Sequence, residues 1–185
     1  AVIQNNISLK DKWQSGQAHV IATRYFEASR PLAGVDLIVW PEGALPAYLD
    51  QISAGFLNAL RQHPSDFLIG LLERSESASG SDYYNAALGI GEQRSLYRKH
   101  QLVPFGEYLP LAPMLGWLLD YLKIPMSDFS AGPAQQAPLP LAGQQIGVSI
   151  CYEDAFSTRI NTALPDATVL ANLSEDAWFG DSLAP

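Results

Sequence analysis

The sequence has a single cysteine, Cys151, in 185 residues. That excludes an internal disulfide framework and any multi-cysteine metal cluster. Histidine is nearly as scarce. His19, His63 and His100 are scattered, with no H-x-x-x-H pair, so no metal site is expected. Charge is thin as well, at 16% of residues, against roughly 25% in an average soluble domain. Basic residues are outnumbered, 11 Lys and Arg to 19 Asp and Glu, for a formal net charge of −8. An acidic chain without a Lys/Arg cluster is a poor partner for nucleic acid or for electrostatic docking on anionic lipid. No window holds the ~18–20 uninterrupted apolar residues of a membrane span. No initiator Met or signal peptide is visible: the chain opens on the strand-like Ala1-Val2-Ile3-Gln4 and stops just after Trp178-Phe179-Gly180. It reads as an excerpt of a longer protein, and a span absent here can still exist outside it.

What is present is apolar. Hydrophobic residues make up 48%, enough at this length for one domain with a core that needs no disulfide or metal staple. Val2 and Ile3 begin a short strand. Asp11 caps an expected helix running to about Ser29, whose Ala18, Ile21, Ala22, Tyr25 and Phe26 share one face. Leu37-Ile38-Val39-Trp40 is a buried-type strand stopped by Pro41. A second helix covers Ile52 to Gln62. Further strands are expected at 67–72, 84–90, 95–97, 146–150 and 168–172, with the Ser- and Gly-rich stretch 75–81 as a surface hairpin loop. Interleaved helical and extended runs mean layered α/β or α+β architecture.

One segment breaks this pattern. Tyr108 to Pro125 reads YLPLAPMLGWLLDYLKIP, with three prolines, a tryptophan and several leucines. Two readings fit the composition: an amphipathic arm that meets lipid or substrate, and a helix packed on the core of an intact protein.

Three polar residues stand at the ends of apolar strands, where layered folds place functional groups. Glu42 follows Trp40-Pro41. Partial desolvation there would raise its pKa and make it a better base, whereas an exposed turn glutamate would do nothing. Lys99, in Tyr97-Arg98-Lys99-His100, could hold an oxyanion or simply sit in a solvated basic cluster. Cys151 ends the 146–150 strand. A turn lifting it from the sheet would present a nucleophile, and the alternative is a buried inert thiol. Rival arrangements are poorer. Gly147-Val148-Ser149-Ile150-Cys151 lacks the second glycine of a serine elbow, and Ser149 falls within a strand. Only His100 could partner Cys151 in a Cys–His pair. Gly89-Ile90-Gly91 is too short for a dinucleotide fingerprint, and no cofactor is expected.

Together, Trp40-Pro41-Glu42, Lys99 and Cys151-Tyr152-Glu153 resemble the Glu–Lys–Cys triad of the nitrilase (carbon–nitrogen hydrolase) superfamily. Leu102-Val103-Pro104-Phe105-Gly106-Glu107-Tyr108-Leu109-Pro110, Pro125-Met126-Ser127-Asp128-Phe129-Ser130, Asp176-Ala177-Trp178-Phe179-Gly180 and the opening Gln4-Asn5-Asn6-Ile7 with Trp13 resemble its apolipoprotein N-acyltransferase branch. The resemblance runs collinearly along the whole chain. It implies an α-β-β-α nitrilase sandwich, C-terminally incomplete, as a partial catalytic domain over residues 1–185 with an apolar arm at about 108–130. It implies transfer of an acyl chain from a membrane phospholipid, through a cysteine thioester, to the N-terminal amine of a diacylglyceryl-cysteine lipoprotein. The implied place is the bacterial inner membrane, facing the periplasm, with membrane contact through the arm and through parts of the parent chain outside this segment. In that reading Glu42 is the base, Lys99 stabilises the oxyanion and Cys151 is the nucleophile. Glu107 orients Lys99 or the attacking amine, Tyr152 and Glu153 shape the nucleophile's pocket, and Trp13 stands at the substrate entrance. The arm then reads as lipid-facing. The pattern departs at Glu175-Asp176, where the family often has Asn-Asp. A soluble amidase acting on small carboxamides keeps the same triad and is the alternative. A non-catalytic segment that folds only within a membrane assembly is a third reading.

Overall fold

The computed structural model describes residues 1–77, 80–108, 129–157, 163–175 and 177. The arm lies almost wholly outside the described residues, as do Asp176 and Trp178-Phe179-Gly180. Two sheets carry the architecture. The first runs β1 (Leu37–Tyr48), β2 (Asp66–Ser77), β3 (Gly80–Ile90) and β4 (Arg94–Arg98) in that order, with β1 and β2 parallel and the other pairs antiparallel. The second is β5 (Leu139–Leu141), β6 (Gln144–Ile150) and β7 (Val169–Leu173), with β6 and β7 parallel. Helices α2 (Gln17–Ser29) and α3 (Ala54–Arg61) pack on the first sheet. The layered α/β sandwich expected from the sequence is the fold observed.

Side-chain alternation makes the layers. In β2, Phe67, Ile69 and Leu71 face the helices, while Leu68 faces the second sheet. In β3, Ala86, Leu88 and Ile90 point one way and Ala87 the other. A strand covered on both faces reads as a continuous apolar run rather than an alternating one, as 67–72 does. Between the sheets, Leu68, Ala87 and Tyr97 meet Leu139, Leu141, Ile146, Ile150 and Leu173. On the helix side, Ile21, Tyr25, Leu57 and Leu60 cover Trp40 and Phe67. Trp40 is fully buried, and its indole N–H donates to Ser29 Oγ at 3.1 Å. Truncating so large a buried ring would cost about 3–5 kcal/mol. Among the described residues, no helix is long and apolar enough to cross a membrane.

Several expectations shift. The helix placed from Asp11 to Ser29 is two pieces, α1 (Leu9–Lys12) and α2, because Gly16 takes φ +83 between them. Ser8, not Asp11, caps α1 by accepting from Asp11 N–H at 3.2 Å. The Val2–Ile3 strand is a single bridge to Val39. The 75–81 loop is mostly strand, since β2 and β3 stay paired out to Ser77 and Gly80. The strand expected to stop at Pro41 continues to Tyr48, but not regularly. Between Trp40↔Ile69 and Leu45↔Leu71 the partner strand advances two residues while β1 advances five, so Pro41 to Ala44 bulge out of register. Proline lacks the ladder N–H, and a bulge is where a strand tolerates it. Gly70 makes the bulge possible. A Cβ there would stand 2.2 Å from the Pro41 carbonyl oxygen and 2.6 Å from Glu42 Cα.

Candidate active site

The bulge turns Glu42 inward. Its side chain is nearly buried, and the next residue, Gly43, takes φ +54, a left-handed conformation that a side chain would strain. The exposed-turn reading of Glu42 is therefore wrong for this fold. Lys99 follows directly on β4, and its backbone N–H donates to the Asn85 carbonyl at 2.8 Å. That bond fixes the residue next to β3 and sends its side chain into the interior, where 1% of Lys99 is exposed. The solvated-cluster reading fails for the same reason.

Lys99 meets two carboxylates. Its Nζ lies 2.9 Å from Glu107 Oε1 and 3.4 Å from Glu42 Oε1. Asn85 joins the same group, donating from Nδ2 to Glu42 Oε1 at 2.7 Å and to Glu107 Oε1 at 2.9 Å. Glu107 is itself held by its own loop: Val103 N–H donates to its Oε2 at 2.9 Å, and Glu107 N–H donates to the Val103 carbonyl at 2.9 Å. Glu42 Oε2, by contrast, is buried with no hydrogen-bond partner among the described residues. One oxygen of this carboxylate is anchored and the other is open.

Cys151 arrives from β6. It sits at φ +49, at the start of a short 3-10 turn over Cys151–Ala155. A non-glycine residue in that region is strained, and such strain clusters at functional sites. Glu42 and Lys99 both act electrostatically on the thiol, Ser174 hydrogen-bonds it from its hydroxyl, and the Tyr152 backbone N–H lies against it. Burial and the Glu42 charge push the Cys151 thiol up, more than Lys99 and these hydrogen bonds pull it down. The resting group is therefore a thiol, so a base must remove its proton. Burial also raises the Glu42 carboxyl, opposed by Lys99 and Asn85 and helped by the Glu107 charge. For Lys99, burial alone would lower the ammonium, but the charges of Glu42 and Glu107 and the hydrogen bond to Glu107 outweigh it and hold the group above its ordinary value. The arrangement suits proton transfer from the thiol to a desolvated carboxylate, beside a fixed cation that can face a developing oxyanion.

Not every expected residue joins. Glu153 is fully buried, and it accepts from Ile150 N–H at 2.8 Å, His100 N–H at 2.9 Å, Gln101 N–H at 3.0 Å and the Tyr97 hydroxyl. It ties the Cys151 turn to the segment carrying Lys99. Tyr152 is exposed, edge-on to Phe156 at 5.0 Å between ring centres. Trp13 is exposed at the end of α1, with no side-chain link to the cluster among the described residues. His100 directs Nδ1 to the Gly132 carbonyl at 2.6 Å, which accounts for that ring nitrogen without Cys151. Ser149 lies in β6 and accepts from Asn172 Nδ2 at 3.0 Å. Asn85 escaped the sequence reading. Its signal was a lone amide inside the apolar run Tyr84-Asn85-Ala86-Ala87-Leu88, where a buried polar side chain needs a partner.

Face-packed sheets with a carboxylate, a lysine and a strand-end thiol gathered between them define a recognisable class. The chain belongs to the carbon–nitrogen hydrolase family, whose model matches residues 1–185. Its sequence is similar along its length to one kind of member. A protein named apolipoprotein N-acyltransferase from Nitrosomonas europaea is 45% identical over 191 residues, covering 100% of this chain and 38% of that relative. One of the same name from Methylococcus capsulatus is 42% identical over 188 residues, covering 100% of this chain and 37% of the relative. The chain thus spans well under half the length of these relatives. A carbon-nitrogen hydrolase from Helicobacter pylori shares the fold, with a TM-score of 0.62 at 17% identity over 94% of this chain and 58% of its own.

Proposed function

We propose that this chain is the catalytic part of an apolipoprotein N-acyltransferase, moving an acyl chain from a membrane phospholipid to the N-terminal amine of a diacylglyceryl-cysteine lipoprotein. The observation that carries the reading is the whole-length similarity, up to 45% identical, to relatives of that name. The open Oε2 of Glu42 supplies its chemistry. Glu42 takes the Cys151 proton, and the thiolate attacks the phospholipid ester carbonyl carbon. Lys99 Nζ faces the oxyanion that forms, with Glu107 fixing the ammonium at 2.9 Å. Collapse breaks the ester C–O bond. The lysophospholipid leaves with the proton from Glu42, and a thioester remains on Cys151. The lipoprotein amine then attacks the thioester, gives its proton to Glu42 and expels the thiol, which regains that proton. Two half-reactions through one covalent intermediate give ping-pong kinetics.

Trp13, Tyr152 and the 108–130 arm would meet the lipid or lipopeptide, with the domain on the periplasmic side of the inner membrane. The amidase alternative uses the same triad on a smaller substrate, and the named relatives favour acyl transfer over it. The deciding experiment uses the full-length protein with phosphatidylethanolamine bearing a labelled acyl chain and a diacylated lipopeptide. The expected result is a labelled acyl group on Cys151 by mass spectrometry, chased onto the lipopeptide and absent from Cys151→Ala. Label transferred by Cys151→Ala, or turnover of small carboxamides without any lipopeptide acylation, would overturn the reading.

A further inference from the structure

A second buried ion pair lies outside the triad. Lys12, the last residue of α1, has 4% of its surface exposed, and its Nζ pairs with Glu175 Oε2 across 163 residues of sequence. Glu175 is also nearly buried, just past the end of β7. Neither residue has a place in the mechanism above. Each, however, adjoins a neighbour of a residue that does. The Lys12 side chain crosses over Gly43, the left-handed residue after Glu42: a Cβ on Gly43 would stand 3.4 Å from Lys12 Nζ and 3.8 Å from Cε. Glu175 directly follows Ser174, whose hydroxyl bonds the Cys151 thiol. Its other oxygen, Oε1, accepts from Ala177 N–H at 3.4 Å.

The pair is costly in itself. Two charges removed from water recover their desolvation only with good geometry, and apolar residues of similar volume often serve stability as well or better. Its placement is more telling than its strength. One end rests on the bulge that aims the base, and the other ends the strand segment that touches the nucleophile. These two segments belong to different sheets.

We propose that Lys12 and Glu175 are a positioning pair for the Glu42–Cys151 proton transfer: Lys12 seats the Gly43 turn that aims Glu42, and Glu175 seats Ser174 against Cys151. The pair touches no reacting atom and acts through Gly43 and Ser174. The inference rests on the proposed triad. Lys12→Met and Glu175→Gln each break the pair, and Lys12→Met combined with Glu175→Leu replaces it by apolar contact.

The test measures acyl transfer in the full-length protein, together with the pH dependence of Cys151 alkylation by iodoacetamide. Glu42 and Lys99 face the same thiol and remain in every variant. Each single variant is expected to lower kcat about tenfold or more with KM for phospholipid and lipopeptide little changed. Each is also expected to move the alkylation midpoint to higher pH, because a misplaced Ser174 no longer favours the thiolate. The double variant is expected to regain thermal stability while keeping the low kcat and the shifted midpoint. A double variant with wild-type kcat and midpoint would reduce the pair to a packing element and overturn the proposal. If the single variants fail to fold, the double variant alone decides. Failure of the triad itself shows separately, as transfer by Cys151→Ala, and the alkylation profile still reads the pair in that case.

Discussion

Among the described residues two lysine–carboxylate groups have a buried lysine, and they are built differently. Lys12 and Glu175 are matched one to one. Lys99 serves two carboxylates, Glu42 and Glu107, with Asn85 bonded to both and one oxygen of Glu42 left open. A matched pair has no charge left to exchange and can only hold things in place. A group with surplus negative charge and an unsatisfied oxygen has a place ready for a proton. Burial of charge is common to both, so burial alone does not mark the reactive group. The imbalance does.

The strongest way to break this contrast is to remove the shared cation. Lys99→Met leaves the buried Glu42 and the half-buried Glu107 with no ammonium, against one carboxylate in Lys12→Met. Acyl transfer should fall about a thousandfold, the scale of losing an oxyanion donor. Stability at neutral pH should fall by about 3–5 kcal/mol, the usual result of orphaning a buried charge. The loss should narrow in acid, where Glu42, its carboxyl raised by burial, takes up a proton. Thermal unfolding across pH, read beside transfer rates, checks both. A Lys99→Met protein as stable as wild type at neutral pH would show that the carboxylates do not depend on this ammonium.

Glu42→Gln separates activity from stability. Losing the proposed base should lower kcat about a hundredfold or more. Its carboxyl lies above the ordinary 4.5 because burial penalises the charge. A raised folded-state pKa favours the protonated form, so this group's stabilisation is complete below about pH 4.5 and lost as pH rises through the folded value. The neutral glutamine mimics the protonated acid. Glu42→Gln should therefore unfold at a higher temperature than wild type near neutral pH, with the gap closing toward pH 4.5. Wild-type activity should fall on acidification with an apparent pKa above 4.5 for the same reason. Equal unfolding temperatures at all pH values would mean that Glu42 ionises without strain.

Asn85→Leu tests the third member of the unbalanced group. It removes the donor shared by both carboxylates and keeps the volume. The Glu42 carboxyl should rise further, moving the acid limb of the pH–rate profile upward, with kcat near neutral pH falling about tenfold. An unmoved limb would leave Lys99 as the sole group controlling Glu42.

How much of this could be read from sequence follows from where the information lies. Glu42, Lys99 and Cys151 stood out as candidates because each follows a short apolar run in the sequence. The alternation of β2 and β3 was legible because both faces are buried. The bulge after Trp40 was not, because Pro41 signals a stop. The permission to continue comes from Gly70 on another strand. Asn85 was visible only as an oddity, since its two partners lie 43 and 22 residues away. Lys12 looked like any charged residue on a short helix. Its partner Glu175 stood out only as a departure from the family pattern, and no local rule joins positions 163 residues apart.

The smallest effect belongs to a third pair. Arg74 and Asp50 form a close ion pair at the surface, with side chains 39% and 42% exposed. Hydrogen bonding to Asp50, with its charge, raises the Arg74 guanidinium further, yet an arginine is charged at any physiological pH without that help. Water and salt screen such a pair, and ordering two long side chains offsets most of the attraction. Arg74→Gln should leave unfolding temperature and acyl transfer unchanged within error, at low and high salt alike. Like Lys12 and Glu175 it is a one-to-one ion pair, and the two differ in burial. A measurable loss of transfer in Arg74→Gln would mean that close pairing matters regardless of burial, and the distinction between a charge that is merely paired and one that is buried and shared would have to be redrawn.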